Sequence, residues 1–170
     1  MRQVLVILRG ASASGKSTIG ESLRDFDKKI VWLRTDSFKL FFSKDAKEEA
    51  LDAVMDAALA TLNSILAQGY SVVYDGIFKK PEYAQKAIDL AKSKNVPVII
   101  YQLECSLETL KQRDKNKAGV KEGWKKPLGD ERIEILFNKV ENNPIEGAIK
   151  LNTEEKSVEE CIRIIRKNFE

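Results

Sequence analysis

Short, almost wholly apolar runs alternate along the chain with longer segments of mixed polarity. Runs of this kind are typical of parallel strands that helices cover on both faces. They lie at residues 3–8, 30–33, 71–74, 96–103 and 148–151. The segments between them predict helices at 16–24, 46–67, 81–93, 107–115, 130–142 and from 158 onward. Because strand and helix alternate, we expect an α/β fold in which helices cover both faces of a parallel sheet.

Capping signals indicate where several of these helices begin. Asp45 can cap the second of them, Pro81 takes the favoured first-turn position of the third, and Ser106 can cap the fourth. Ser157 opens the last helix with a capping box. Because no repeat or linker interrupts the series, we predict one domain over residues 1–170.

One loop carries the clearest chemical signal. The first predicted strand runs into the sequence G-x-x-x-x-G-K-S, which is the phosphate-binding loop motif. Its glycines allow successive backbone N–H groups to point inward at a phosphate. Lys16 is expected to reach the β- and γ-phosphates of a nucleotide, and the Ser17 hydroxyl to bind Mg²⁺. The residues expected to hold ATP here are Gly10, Ala11, Ser12, Ala13, Ser14, Gly15, Lys16, Ser17 and Thr18.

Two carboxylates follow predicted strands at the edge where this motif lies. In an open α/β sheet, ligands bind beyond the carboxyl ends of the strands, and Asp36 and Asp75 stand at two of those ends. Asp36 can accept the proton of a hydroxyl that attacks the γ-phosphate, or alternatively cap the turn that follows it. Asp75 can hold a magnesium-bound water or an acceptor hydroxyl, or alternatively belong to an Asp-Gly turn. We favour Asp36 as the general base.

A stretch without apolar periodicity, residues 114–126, is predicted to be a mobile lid. Arg113 precedes it and Lys117 follows four residues later, so one helical turn can present both cations on one face. A planar guanidinium suits phosphate oxygens, and Arg113 is therefore the expected cation over the nucleotide. The other lysines of the stretch are expected to be solvated, namely Lys115, Lys121, Lys125 and Lys126.

Charge and composition exclude several kinds of site but leave the phosphoryl acceptor open. The formal net charge of +3 is too small to indicate nucleic-acid binding by itself. The chain has no histidine, which excludes a histidine general base and His-rich zinc sites. Cys105 and Cys161 are expected to be thiols in a reducing compartment, with a disulfide as the alternative. The first residues predict a strand rather than a signal peptide or membrane span, so we expect a cytoplasmic protein without a membrane partner.

Five stretches together resemble the AAA_33-type P-loop kinases, a group that includes polynucleotide kinases and is similar to zeta toxins and chloramphenicol phosphotransferase. These stretches are residues 10–18, 33–39, 73–76, 105–113 and 141–144. The resemblance implies a P-loop kinase with a five-stranded parallel sheet in the order 2-3-1-4-5, flanking helices and a lid. It also implies that Asp36 is the general base and that Arg113 is a lid arginine over the phosphates.

The resemblance extends to further residues of the site. Lys39 matches a position where polynucleotide kinases usually carry an arginine that holds the acceptor's phosphate, and Lys117 matches a second lid arginine. Asn152 and Thr153 are implied to border the adenine. The chain departs from the family at Ser37, where a second Asp is common. It also has lysine at two arginine positions, and lysine lacks the bidentate geometry of arginine.

These observations predict an ATP- and Mg²⁺-dependent kinase that transfers the γ-phosphoryl group to a hydroxyl. The acceptor is either a polynucleotide 5′ end or a small molecule, and Asp36, Lys39 and Asp75 are expected to bind it. The alternatives are a nucleotide-binding regulator or NTPase without an acceptor, and a zeta-like toxin kinase.

Aromatic side chains near Asp36 bear on the choice of acceptor. Exposed aromatic rings can stack on the bases of a nucleic acid, whereas a small-molecule kinase would use them to wall a closed pocket. Phe38 and, in the predicted lid, Trp124 can serve in either way. Phe41 and Phe42 are expected to lie in a helix core.

Overall fold

The computed structural model describes residues 2–43, 49–117 and 126–170. Its strands are β1 (Leu5–Arg9), β2 (Ile30–Arg34), β3 (Ser71–Gly76), β4 (Val98–Glu104) and β5 (Ile149–Asn152). They form one parallel sheet in the order β2-β3-β1-β4-β5. Both the α/β class and the strand order are therefore confirmed.

Helices connect the strands and cover both faces of the sheet. They are α1 (Lys16–Arg24), α2 (Leu51–Ala67), α3 (Pro81–Ser93), α4 (Leu107–Lys115), α5 (Asp130–Glu141) and α6 (Val158–Arg166). A 3₁₀ helix over Thr35–Phe41 follows β2, and another over Lys167–Phe169 follows α6. Within the described ranges, no helix is both long and apolar enough to cross a membrane.

The starts of the helices agree with the sequence signals except at α2. Both α1 and α4 have the predicted bounds, and the Ser106 and Ser157 side chains cap α4 and α6 as predicted. In contrast, α2 begins at Leu51 rather than at residue 46, because the residues directly before it form a turn. The predicted cap Asp45 lies within 44–48, outside the described residues.

Each face of the sheet has its own apolar core, because alternate side chains of a strand point to opposite faces. On one face, Ile7 of β1 shares a core with Leu62 of α2 and Ala87 of α3. On the other face, Leu8 shares a core with Ile165 of α6. Burial on both faces explains why the strands appear in the sequence as continuous apolar runs. The two cysteines are free thiols, as the sequence predicted.

A buried arginine joins the central strand to the end of α5. Arg9, the last residue of β1, is fully buried and donates to Gln102 Oε1 at 2.6 Å. Its Nη2 donates to the backbone oxygens of Val140, at 3.2 Å, and Asn143, at 2.5 Å. Burial lowers the pKa of Arg9, and the charge of Glu141 opposes that shift. Since a cation is favourable at the carboxyl end of a helix, Arg9 holds the end of α5 against the strand that leads into the phosphate loop.

The parallel arrangement brings the carboxyl ends of the strands to one edge of the sheet. Leu8 of β1 is in register with Asp75 of β3, and Asp75 is in register with Arg34 of β2. The loop that follows β1 is therefore flanked by the polar ends of neighbouring strands. This edge holds the candidate site.

Gly20 of α1 lies against the indole of Trp32 on β2. A Cβ atom at Gly20 would lie 2.4 Å from Trp32 Nε1. We expect Gly20→Ala to lower the free energy of unfolding by about 1–2 kcal/mol, because overpacking outweighs the gain in helix propensity. Urea unfolding measures this, with Glu21→Ala on the exposed face of α1 as the control. A Gly20→Ala protein as stable as the wild type would contradict the close packing.

Candidate active site

The phosphate loop has the backbone conformation that its glycines predict. It connects β1 to α1, and Gly15, at the N-terminal boundary of α1, has a φ of 97°. Gly10 packs closely, since a Cβ there would lie 2.6 Å from Ser14 Oγ and 2.9 Å from the backbone oxygen of Leu103. The loop therefore presents its N–H groups at the amino end of α1, which is a favourable place for an anion.

Lys16, the first residue of α1, is buried at the base of this loop. Its side chain donates to the backbone oxygen of Ala11 at 2.8 Å, and the residue is only 8% exposed. Burial lowers the pKa of Lys16, while the charges of Asp75 and Asp36 raise it. A phosphate group beside Lys16 would add negative charge and favour the protonated form.

Asp75 and Ser17, the two residues that the sequence assigned to a metal ion, lie within hydrogen-bond distance of each other. Asp75 Oδ2 accepts from Ser17 Oγ at 3.2 Å and from Trp32 Nε1 at 3.3 Å, and lies 3.7 Å from Arg34 Nε. Burial raises the pKa of Asp75, and the charges of Lys16 and Arg34 oppose that shift. Both groups offer oxygen atoms, which are the ligands that Mg²⁺ prefers.

Asp36 lies on the 3₁₀ helix directly after β2. Its Oδ1 pairs with Lys39 Nζ at 2.6 Å, and the Asp36 side chain is 39% exposed. Burial acts to raise the pKa of Asp36, but the charges of Lys39, Lys16 and Arg34 together hold it below its ordinary value. Asp36 is therefore ionised at neutral pH and able to accept a proton. Lys39, predicted to hold the acceptor, is paired with Asp36 itself.

Arg113 on α4 holds the connection between β5 and α6. Its guanidinium donates two hydrogen bonds to Thr153. Nη1 donates to the side-chain Oγ1 at 3.0 Å, and Nη2 donates to the backbone oxygen at 2.6 Å. Nη1 also lies 3.7 Å from Cys105 Sγ. The side chain that the sequence assigned to the phosphates thus contacts the segment assigned to the adenine.

The same connection is tied to the amino end of α4 by a residue that the sequence did not single out. The Glu154 carboxylate accepts from the backbone N–H and the hydroxyl of Ser106, and from the Thr109 hydroxyl. Asn152 Oδ1 accepts from the backbone N–H groups of Glu154 and Glu155. The Asn152 side chain therefore stabilises the turn.

Lys117 lies two residues beyond the end of α4. The two cations Arg113 and Lys117 therefore do not share a helical turn as predicted, because the helix ends at Lys115. Lys117 Nζ instead pairs with Asp114 Oδ1 at 3.2 Å. Most of the predicted lid, including Lys121, Trp124 and Lys125, lies at 118–125, outside the described residues.

One cleft of about 610 Å³ collects most of the predicted side chains, a size that suits a nucleotide. Predicted residues that line it are 12–18, Asp36, Asp75, Arg113, Lys117 and Thr153. Gly10, Ala11, Lys39 and Asn152 are not among its lining residues. The cleft is also lined by residues that the sequence did not indicate, namely Ile19, Arg34, Ile77, Asn116, Lys156, Val158 and Cys161. Arg34 could have been noticed as a charge at the end of an apolar strand, whereas the others carry no motif.

The aromatic residues after Asp36 differ from expectation. Phe41 was expected in a helix core but is 81% exposed, and the adjacent Leu40 is 63% exposed. The reason is local, since these residues form a 3₁₀ helix that ends at Phe41. Phe38 is partly buried against the core, and its ring centroid lies 6.0 Å from that of Phe41.

The family model described as an AAA domain, AAA_33, matches residues 5–131. The chain belongs to this family. The match runs from β1 to the start of α5 and so includes the phosphate loop, Asp36, Asp75 and Arg113. A search of curated proteins finds no match to this AAA_33 protein.

Several solved structures, a gluconokinase among them, are similar to this AAA_33 protein. Kti12 from Chaetomium thermophilum, in complex with ADP-AlF3, is 15% identical with a TM-score of 0.72, covering 96% of this chain and 97% of that one. A tunicamycin resistance protein from Deinococcus radiodurans is 12% identical with a TM-score of 0.69, covering 99% and 96%. A gluconokinase from Sinorhizobium meliloti is 17% identical with a TM-score of 0.67, covering 96% and 90%. At sequence identities this low, the similarity shows a shared fold and nothing further.

The two bonds from Arg113 to Thr153 predict how the segment after β5 is held. Arg113→Lys keeps the charge but loses the forked donors, so we expect the Glu154 and Glu155 amides to exchange hydrogen about 10-fold faster. Hydrogen exchange with mass spectrometry measures this. The control is Lys115→Met, which alters an exposed ion pair of α4 with Asp130. Equal exchange in Arg113→Lys and wild type would show that Arg113 does not hold the segment.

Proposed function

We propose that this AAA_33 protein is an ATP- and Mg²⁺-dependent kinase that transfers the γ-phosphoryl group of ATP to a hydroxyl group. The observation that carries the proposal is the Asp36 carboxylate, which lines the same cleft as the Lys16 ammonium. A phosphate loop serves many nucleotide-binding proteins, whereas a carboxylate beside it can take the proton of an acceptor. This arrangement supports a kinase over a regulator or NTPase without an acceptor.

In the proposed reaction, each of a few side chains has its own role. Asp36 accepts the proton of the acceptor hydroxyl while the acceptor oxygen bonds to the γ-phosphorus. The bond from the γ-phosphorus to the oxygen that bridges to the β-phosphate breaks, and ADP leaves. Lys16 supplies positive charge to the transferred group, and Arg113 and Lys117 line the same cleft.

Ser17 and Asp75 are the residues that would hold Mg²⁺. Their hydroxyl and carboxylate lie 3.2 Å apart at the end of the phosphate loop. When bound, the ion would offset the negative charge of the phosphates. The donors around Asp75 Oδ2 keep this carboxylate in one orientation before any ligand binds.

The surroundings of Asp36 bear on the acceptor. A crevice adjoins Asp36 between the 3₁₀ helix, α2 and α3, and its volume of about 20 Å³ is too small for an acceptor molecule. Its lining includes Thr35, Lys39, Leu51, Met55, Phe78 and Tyr83. The acceptor is therefore proposed to approach Asp36 from the cleft, with Lys39 and Asp75 beside it. Either a polynucleotide 5′ end or a small molecule satisfies this geometry.

Transfer of labelled γ-phosphate from ATP tests the role of Asp36. The acceptors are two pools, one of 5′-hydroxyl oligonucleotides and one of nucleosides, sugars and aminoglycoside-like alcohols. We expect Asp36→Asn to lower the transfer rate on the order of 10²-fold or more, with little change in ATP affinity. Full activity in Asp36→Asn would remove Asp36 from the proposed role.

Matched controls separate transfer from binding. Lys16→Ala is the blank, and Asp56→Asn changes a carboxylate on the exposed face of α2, with a side chain 61% exposed. Omission of Mg²⁺ is expected to abolish transfer. Label in one pool identifies the acceptor class, whereas ATP hydrolysis with label in neither pool favours an NTPase without an acceptor.

The ion pair between Lys39 and Asp36 predicts a pH dependence. Lys39 helps to hold the pKa of Asp36 below the ordinary value of 3.8, so Lys39→Met should raise that pKa. Asp36 accepts a proton only above its pKa, so the acid limb of kcat should move to higher pH in the variant. Profiles at saturating acceptor measure this, with Lys86→Met, an exposed lysine of α3 paired with Asp56, as the control. An acid limb that stays in place or moves to lower pH would contradict the proposed base.

A further inference from the structure

Asp114 is a buried carboxylate that the proposed reaction does not use. It lies on α4, and its side chain is 2% exposed. The two oxygen atoms have separate partners. Oδ2 accepts from the backbone N–H groups of Leu128, at 2.8 Å, and Gly129, at 3.0 Å, whereas Oδ1 accepts from Lys117 Nζ at 3.2 Å.

The contacts of Oδ2 fix the carboxylate in place. Gly129 is the N-terminal boundary residue of α5, a helix of 12 residues, and its φ of 89° is one that glycine adopts readily. A negative charge is favourable at the amino end of a helix, where backbone N–H groups have no partner within the helix. Asp114 therefore joins the end of α4 to the start of α5.

The contact of Oδ1 connects this junction to the nucleotide cleft. Lys117 lines the cleft, and its side chain is 30% exposed. Lys16 lines the same cleft, and the positive charge of Lys117 acts to lower the pKa of Lys16. An ammonium has three N–H donors, so Lys117 can donate to Asp114 and to a phosphate oxygen at the same time.

We propose that Asp114 is a positioning residue, which is fixed by its backbone contacts with the start of α5 and directs the Lys117 ammonium at the phosphates in the cleft. This inference rests on the proposed function, because it requires a nucleotide in the cleft. It assigns to Asp114 an effect on nucleotide affinity that acts through Lys117. An anchor of the helix junction alone would have no such effect.

The separate partners of the two oxygens make Asp114→Asn a selective test. In Asp114→Asn, the side-chain oxygen can take the place of Oδ2 and keep both backbone hydrogen bonds. The amide NH₂ group then faces Lys117, and because it is only a donor, it cannot accept a hydrogen bond from the ammonium. Asp114→Ala removes both sets of contacts. We expect thermal unfolding of Asp114→Asn to stay close to wild type and that of Asp114→Ala to occur at a clearly lower temperature.

A double-mutant cycle measures whether Asp114 acts through Lys117. Isothermal titration with ATP and Mg²⁺ is expected to give affinities about 10-fold weaker for Asp114→Asn and about 10-fold weaker for Lys117→Met. The double variant should remain about 10-fold weaker, rather than the 100-fold or so that independent effects would produce. Lys115→Met is the matched control, since it breaks an exposed ion pair between the same two helices and should bind ATP as the wild type does.

These measurements distinguish failure of this inference from failure of the proposed function. The proposal is overturned if Asp114→Asn binds ATP as the wild type does or more tightly, or if its effect is undiminished in the Lys117→Met background. Failure of the whole chain to bind ATP would overturn both this inference and the proposed function. Coupled affinities without transfer to any acceptor would uphold the inference and count against the kinase. Coupled affinities with transfer would support both.

Discussion

The buried charge of Lys16 is the constraint around which the carboxyl edge of the sheet is arranged. An ammonium group that is largely removed from water needs nearby negative charge or hydrogen-bond acceptors. Lys16 has the backbone oxygen of Ala11 and the carboxylates of Asp75 and Asp36. Those carboxylates lie close enough to act on its charge because the strands are parallel, which brings the ends of β2 and β3 beside the loop after β1. The parallel topology of the sheet is therefore what supplies the negative charge that the buried Lys16 ammonium needs.

Lys39 beside the cleft, and Arg113 and Lys117 in its lining, are each held by a partner within the protein. Lys39 pairs with Asp36, Arg113 with Thr153 and Lys117 with Asp114. The partners differ in kind, and this matters for a phosphate that approaches. Arg113 donates to neutral oxygen atoms, from which a charged phosphate can draw it more easily than from a carboxylate. The lysines are paired with carboxylates and would have to share their N–H groups between the protein and the ligand.

The parts of the structure that were predicted from the sequence are those with a local or periodic signal. The apolar runs and the G-x-x-x-x-G-K-S motif predicted the strands and the loop, and the strand ends placed Asp36 and Asp75 at the edge of the sheet where that loop lies. What could not be predicted depends on contacts between distant segments or on where an irregular helix ends. Nothing in the sequence around Glu154 shows that it accepts from Ser106, 48 residues earlier in the chain. The exposure of Phe41 likewise depends on where a 3₁₀ helix ends, which hydrophobicity alone does not indicate.

The pKa values of the two carboxylates of the cleft are shifted in opposite directions, although Asp75 lies near the end of β3 and Asp36 directly after the neighbouring β2. Asp75 is almost fully buried, and burial raises its pKa, while two hydrogen-bond donors hold one of its oxygens. Asp36 is 39% exposed, and although burial acts to raise its pKa, the charges of Lys39, Lys16 and Arg34 together lower it. A carboxylate fixed by donors suits the orientation of a bound cation, whereas a more exposed one can meet an acceptor that arrives from solvent. The proposed division between a metal-side residue and a base is therefore consistent with burial and neighbouring charge, which distinguish two aspartates that the sequence places at the ends of neighbouring strands.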